Sequence, residues 1–389
     1  MSSPTFARTP PRRLAAVGVG VFLLLGLIYP VLGPALPTLS ERFGLSAGSA
    51  SLLLSFNSAG AFAGVLLAGA LSRRWIPPNR GALALGVIMA GCVGLTLAPS
   101  FGVALAASLL LGLGFGVMDL TINVWLSTSY GPRGASVLNL LSAGFGVGAV
   151  LAPLLVGFAG GDFYLPLLSC AVLAALLLPL VFTLRRAAAL GAAPASPAPT
   201  GRARPLLLGF VLLFVTYVGV EGGVGAWEVT HLRDALGLST AGAAQLTALF
   251  WVSFTVGRLV SAALALRLEP PRLVTLALTL AVLSLALASV PSLAAAAYTL
   301  AGFFLAPVFT TGLVWLIRTL PGSGATTLVF ASAFLGPVLF SPVIGASKDA
   351  YGWRAIPLSL LGIALLCLAV ALGLWRATGR EQRLEQVGE

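Results

Sequence analysis

Residues 205–227 read PLLLGFVLLFVTYVGVEGGVGAW, and only one side chain in that run is acidic or basic, Glu221. An apolar run of about 20 residues has the length of a membrane-spanning helix. A lone strand of that length would leave its backbone unsatisfied in lipid, so the run reads as a helix. Glu221 then stands near mid-membrane, where a carboxylate is costly unless it meets protein, water or a partner.

The rest of the chain agrees with this reading. Its 389 residues are 58% hydrophobic and only 8% charged, with mean hydropathy +1.03. A soluble domain carries about 25% charged residues, so these charges cannot cover a soluble surface. The net charge of +11 does not indicate nucleic acid. The basic residues come singly or in pairs at the ends of apolar spans, where they orient a membrane protein. Cys92, Cys170 and Cys367 lie in apolar stretches without metal-ligand spacing, and the single histidine, His231, has no His or Cys nearby. They read as core residues, with no metal site and no cofactor. The stretch RTPPRRLAAVGVGVFLLLGL (8–27) resembles a signal peptide. Its apolar region is too long and no cleavage site follows, so it reads as the first span.

Twelve spans can be laid out: 14–37, 47–71, 81–98, 102–128, 135–158, 164–184, 205–227, 240–266, 273–290, 292–317, 324–346 and 355–375. With the N-terminus in the cytoplasm, 17 basic residues lie inside and 4 outside, with Arg258 within a span. This asymmetry puts both termini in the cytoplasm. Residues 187–204, AAALGAAPASPAPTGRAR, have no apolar period and read as a linker. The expected organisation is a bundle at 1–186, the cytoplasmic linker 187–204, a bundle at 205–376 and a cytoplasmic tail at 377–389.

The halves repeat weakly. Gly64 and Gly257, Arg74 and Arg267, and Pro78 and Pro271 are each 193 residues apart, and GAVLAPLLVG (148–157) corresponds to GPVLFSPVIG (336–345). The fold class is therefore an all-α membrane protein of twelve transmembrane helices in two pseudo-symmetric six-helix bundles. Parallel repeats of this kind place a substrate site at mid-membrane, between the halves.

Of eleven acidic residues, nine fall in loops, span ends or the tail, Glu228 included at the end of span seven. Asp119 and Glu221 remain near span centres. In GLGFGVMDLTINVW (112–125), Asp119 and Asn123 are four apart and share a helical face, which Gly112 and Gly116 continue as a close-packing stripe. On span seven, Tyr217, Glu221, Gly225 and Glu228 share one face. The two carboxyls lie on opposite sides of the midplane, each roughly 6 Å from it at 1.5 Å per residue. Both are candidates for proton coupling. Each also admits the plainer reading of a hydrogen-bonding group between helices.

Asn57, Asn123, Asn139, Tyr217, Glu221, Trp227, Gln245 and Trp315 are the candidate substrate-binding residues. Asn57 and Asn123 could equally hold helices together, and Trp227 and Trp315 could be interfacial anchors. Arg73, Arg74 and Arg80 are expected at the cytoplasmic surface, biasing conformation rather than touching substrate. Arg258 is expected as an anchor or conformational ion pair.

Two six-span halves, a central cytoplasmic loop and basic 2–3 and 8–9 loops resemble the major facilitator superfamily over essentially the whole chain. GALSRRWIPPNR (69–80) is similar to that family's span 2–3 signature, Gly-x-Leu-x-Asp-Arg-x-Gly-Arg, but Arg73 stands where the signature has aspartate. Four patterns resemble the fucose/glucose–proton symporter-like branch: Gly112-x-Gly-x-Gly-x-x-Asp119-x-x-x-Asn123, NLLSAGFGVGAVLAP (139–153), EGGVGAW (221–227) and FTVGR (254–258). The second departs at Ser142, where many relatives carry histidine. The resemblance implies a monomeric secondary transporter of the plasma membrane (the bacterial inner membrane), no enzyme. It would move a small, sugar-like solute by alternating access, with protons as coupling ion and lipid as its other partner. The alternative is a proton-driven efflux antiporter for amphipathic compounds. Span five partly resembles the antiporter signature but lacks its Gly-Pro junction.

Overall fold

The computed structural model describes residues 11–130, 137, 140–141, 143–184, 203–321 and 325–388. Among them there are helices and no strand. Eleven stretches are long and apolar enough to cross a membrane, and Ala143–Phe158 is a shorter apolar helix. Leu97, Leu176, Leu259 and Leu266 are among many large apolar side chains left exposed. Such surface suits lipid, because a soluble monomer rarely shows extended apolar patches.

The chain divides into two compact units, Met1–Leu45 with Ala50–Pro194 and Ser46–Ser49 with Ala195–Glu389. The first contains α1 (Pro11–Phe43), α2 (Ala47–Leu71), α3 (Pro77–Leu97), α4 (Phe101–Ser129), α5 (Ala143–Phe158) and α6 (Tyr164–Thr183). The second contains α7 (Ala203–Leu236), α8 (Thr240–Leu264), α9 (Pro270–Leu287), a 3₁₀ turn (Pro291–Leu293), α10 (Ala294–Thr319), α11 (Ala325–Ala333), α12 (Leu335–Tyr351) and α13 (Ala355–Gly388).

Local chemistry sets several boundaries. Paired prolines open α3 and α9 after extended Ile76 and Glu269. Proline suits a first helical turn because the missing N–H would have had no partner there. Ser239 starts α8, its Oγ accepting from the Gly242 N–H at 3.1 Å. Gly237 ends α7 at φ 67°, in the left-handed region that glycine enters without a Cβ penalty.

Glycines bring the helices together. On α2 and α4, a Cβ at Gly60 would strike the Leu109 carbonyl, and one at Gly112 would strike that of Asn57. The repeated glycines do matching work in their own units. Gly64 lies against the Leu113 carbonyl of α4, and Gly257 against that of Phe303 on α10. Gly148 lies against Leu23 of α1, and Gly336 against Val215 of α7. Helices without a hydrophobic drive between them in lipid associate through such close packing.

Several boundaries differ from expectation. α7 runs through Leu236 instead of ending at 227, because nothing before Gly237 stops it. The expected eleventh span is interrupted at Phe334, between α11 and α12. The expected tail continues α13 to Gly388. The three cysteines are buried and free.

Candidate functional site

Each unit holds one of the two expected carboxyls. In the first, Asp119 and Asn123 are half-buried on α4. The Asn123 amide donates to the Asp119 carboxylate at 2.8 Å and to the Asp119 carbonyl at 2.8 Å. One side chain therefore fixes the rotamer of the other, as the i, i+4 spacing predicts. One turn earlier on α4, Phe115 lies 6.1 Å from the half-buried Tyr29 ring, which lies 5.7 Å from Phe145. This aromatic group escaped the sequence reading, since Tyr29 and Phe145 sit on other helices and gain meaning only by packing beside α4.

Asn57 donates to the Ser108 carbonyl at 3.1 Å, while the Ser108 hydroxyl donates to the Leu53 carbonyl at 2.7 Å. The pair ties α2 to α4. Asn139 lies outside the described residues.

In the second unit, Glu221 is buried, 5% exposed, and Tyr217 lies one turn away on the same helix and acts on the carboxyl. Arg258 on α8 acts on Glu221 electrostatically, and its guanidinium sits 4.7 Å from the centre of the Phe254 ring. FTVGR thus supplies both the cation and the ring that holds it. Trp251 packs onto α7 at Gly225, where a Cβ would fall 2.8 Å from the indole. Trp227 is fully buried and its indole N–H meets no acceptor. Trp315 is buried, edge-on to Phe210 at 5.4 Å. Gln245 is exposed on α8.

The basic group beside α2 separates. Arg73 and Arg74 are exposed in the turn, as expected. Arg80 is not at the surface. It is 2% exposed, and its Nη1 donates to the Ala68 carbonyl at 3.3 Å. Ala68 is in the last turn of α2, whose carbonyls have no partners within the helix and attract a cation.

A further correction concerns Glu228. Because α7 continues, Glu228 is not at a span end but fully buried in the helix, as is His231 one turn later. His231 Nδ1 lies 2.8 Å from the Tyr298 hydroxyl of α10, and its ring stacks 5.6 Å from Trp353. The partner of the lone histidine is thus a tyrosine from an element distant in sequence. Among the described residues no group of three or more His, Cys, Asp or Glu could hold a metal ion.

A sequence profile described as Major Facilitator Superfamily matches residues 14–283. The sodium-dependent glucose transporter 1A of Mus musculus is 26% identical over 384 residues, spanning 85% of this chain and 88% of its own. The sodium-dependent glucose transporter 1 of Homo sapiens is 26% identical over 380 residues, 85% of this chain and 72% of its own. Among solved structures, a D-xylose-proton symporter superposes with TM-score 0.76 at 16% identity, covering 94% of this chain and 97% of that one. The nucleoside transporter NupG superposes with TM-score 0.74 at 15% identity, covering 94% and 98%.

Proposed function

This chain belongs to the Major Facilitator Superfamily, and from that premise we propose that it moves a small, polar, sugar-like solute across the membrane by alternating access, with protons as the coupling ion. Its family and fold are those of transporters, not of enzymes. Twelve spans in two pseudo-symmetric bundles, at 1–186 and 205–376, belong to the same reading. The matching glycine contacts in the two units favour it.

The observation that carries the proposal is Glu221, buried with Tyr217 on its own helix and Arg258 acting on it from α8. An ionised Glu221 is held by Arg258, and a protonated one loses that attraction. Proton binding therefore changes how tightly α7 and α8 are joined. Asp119, kept in one rotamer by Asn123, is the residue to which we assign the dominant coupling step. Glu221, with the Tyr217 side chain one turn away on its helix, is assigned to solute contact. Sugar hydroxyls need donors and acceptors, and pyranose faces stack on rings. The names of the curated relatives favour glucose-like solutes.

Those names also favour a second reading, in which sodium replaces the proton. Purified protein in liposomes separates the two. Uptake of labelled hexoses should follow an imposed proton gradient and not a sodium gradient. Asp119→Asn should abolish concentrative uptake while keeping counterflow, which needs no net proton movement. Glu221→Gln should weaken apparent solute affinity by about tenfold, the size of one lost hydrogen bond to a charged group. If both variants concentrate hexose at wild-type rates and levels, neither carboxyl couples transport.

A further inference from the structure

After Asp119 and Glu221, Glu228 on α7 is a third carboxyl inside a membrane-spanning helix, and among the described residues no cation is paired with it. It is fully buried, and neither of its oxygens meets a hydrogen bond of good geometry. Among the described residues, the helices packed around it offer no free counter-charge. On α7, Arg233 is engaged with Asp234 at 3.2 Å. On α8, Arg258 acts on Glu221, seven residues back along α7. On α12, Lys348 is engaged with Asp234 at 3.1 Å, and Asp349 is exposed. Arg318 of α10 and Arg376 of α13 are exposed, and the Cys367 thiol of α13 faces the Leu213 carbonyl at 3.8 Å. α11 and the 3₁₀ turn carry no titratable side chain. An ionised carboxylate buried with no partner is among the costliest arrangements a protein can hold.

The neighbours that do face Glu228 are neutral and suit a protonated acid. Thr247 of α8 is in hydrogen-bonding range and fully buried. Its own proton goes to the Ala243 carbonyl at 3.2 Å, which leaves its oxygen as an acceptor. The Tyr298 hydroxyl of α10 is close enough to interact electrostatically with Glu228 and lies 2.8 Å from His231 Nδ1. His231 Nε2 has no partner, and Asp234 acts on the ring from one turn further along α7. Asp234 is part-exposed, with 24% of its side chain open. Glu228, His231 and Asp234 are spaced by three residues and share one side of the helix.

We propose that Glu228 is a proton-binding site within the second unit: the protonated acid faces the Thr247 oxygen, and release of the proton to water breaks the Glu228 O–H bond and leaves the carboxylate behind. No electrons move. This rests on the transport reading only for its use in coupling; the proton itself is observable without substrate.

The test is infrared difference spectroscopy on purified full-length protein at neutral pH, in the region of the protonated-carboxyl C=O stretch. Wild type minus Glu228→Gln should show such a band, shifting when D₂O replaces H₂O. No band in that difference overturns the site. Thr247→Val keeps the carboxyl but removes its acceptor, so the band should move to higher frequency. This variant gives the same reading if Glu228→Gln does not fold, and an unmoved band counts against the site. A band that vanishes when sodium chloride replaces choline chloride assigns the site to sodium and overturns the proton. Hexose uptake in liposomes remains a separate measurement, so transport and proton binding can fail independently.

Discussion

Arg80 shows what one residue's surroundings do to its meaning. In the sequence it stands six residues from Arg74 and looks like another surface charge. The Pro77–Pro78 start of α3 instead puts Arg80 in the first turn of that helix, with its guanidinium on the Ala68 carbonyl. Removing a hydrogen bond from a charged donor costs about 1.5–3 kcal/mol. Arg80→Ala should therefore lower the thermal stability of the purified protein clearly. Arg73→Ala, at an exposed site, should stay within about 0.5 kcal/mol. Equal melting curves for the two variants would refute the capping role. Asp119 and Asn123 are the opposite case: their spacing alone announced the contact, because i, i+4 neighbours meet on any helix.

At the scale of elements, the glycine stripe on α4 was legible and its partner was not. Gly112 and Gly116 mark a face that admits close approach, but only packing shows that α2 fills it, with the Asn57 and Ala61 carbonyls where side chains would go. Gly112→Ala should cost about 1–3 kcal/mol from overpacking. Gly69→Ala on α2, with no neighbour within 4 Å, should be neutral or stabilising by up to about 1 kcal/mol through helix propensity. Denaturant unfolding of the two variants checks the contrast. α7 teaches the converse. Hydropathy falls after residue 227, and a span was expected to end there. The helix continues because its buried polar side chains, Glu228 and His231, sit among neighbouring helices instead of facing lipid. Hydropathy along one segment has no access to that shielding.

At the scale of the whole molecule, the arginine asymmetry predicts the topology. The three native cysteines are buried, so an introduced one reports cleanly. Leu266→Cys, exposed in the turn after α8, should react with a membrane-impermeant maleimide only after cells are opened. Tyr351→Cys, exposed at the end of α12, should react in intact cells. The reverse pattern would place both termini outside.

Composition, apolar run length and the placement of arginines were enough to read a helical, multi-pass membrane protein. These signals are local or additive, and each span carries its own. The family resemblance lay in short motifs whose residues are close in the chain. Tertiary packing alone decided which polar groups meet: Tyr298 with His231, Arg258 beside Glu221, Asn57 on Ser108, and Glu228 with no cation among the described residues. Those pairings join helices that are tens of residues apart. A buried charge takes its chemistry from whatever the neighbouring helices bring within a few ångströms of it, and no pattern along one segment encodes that.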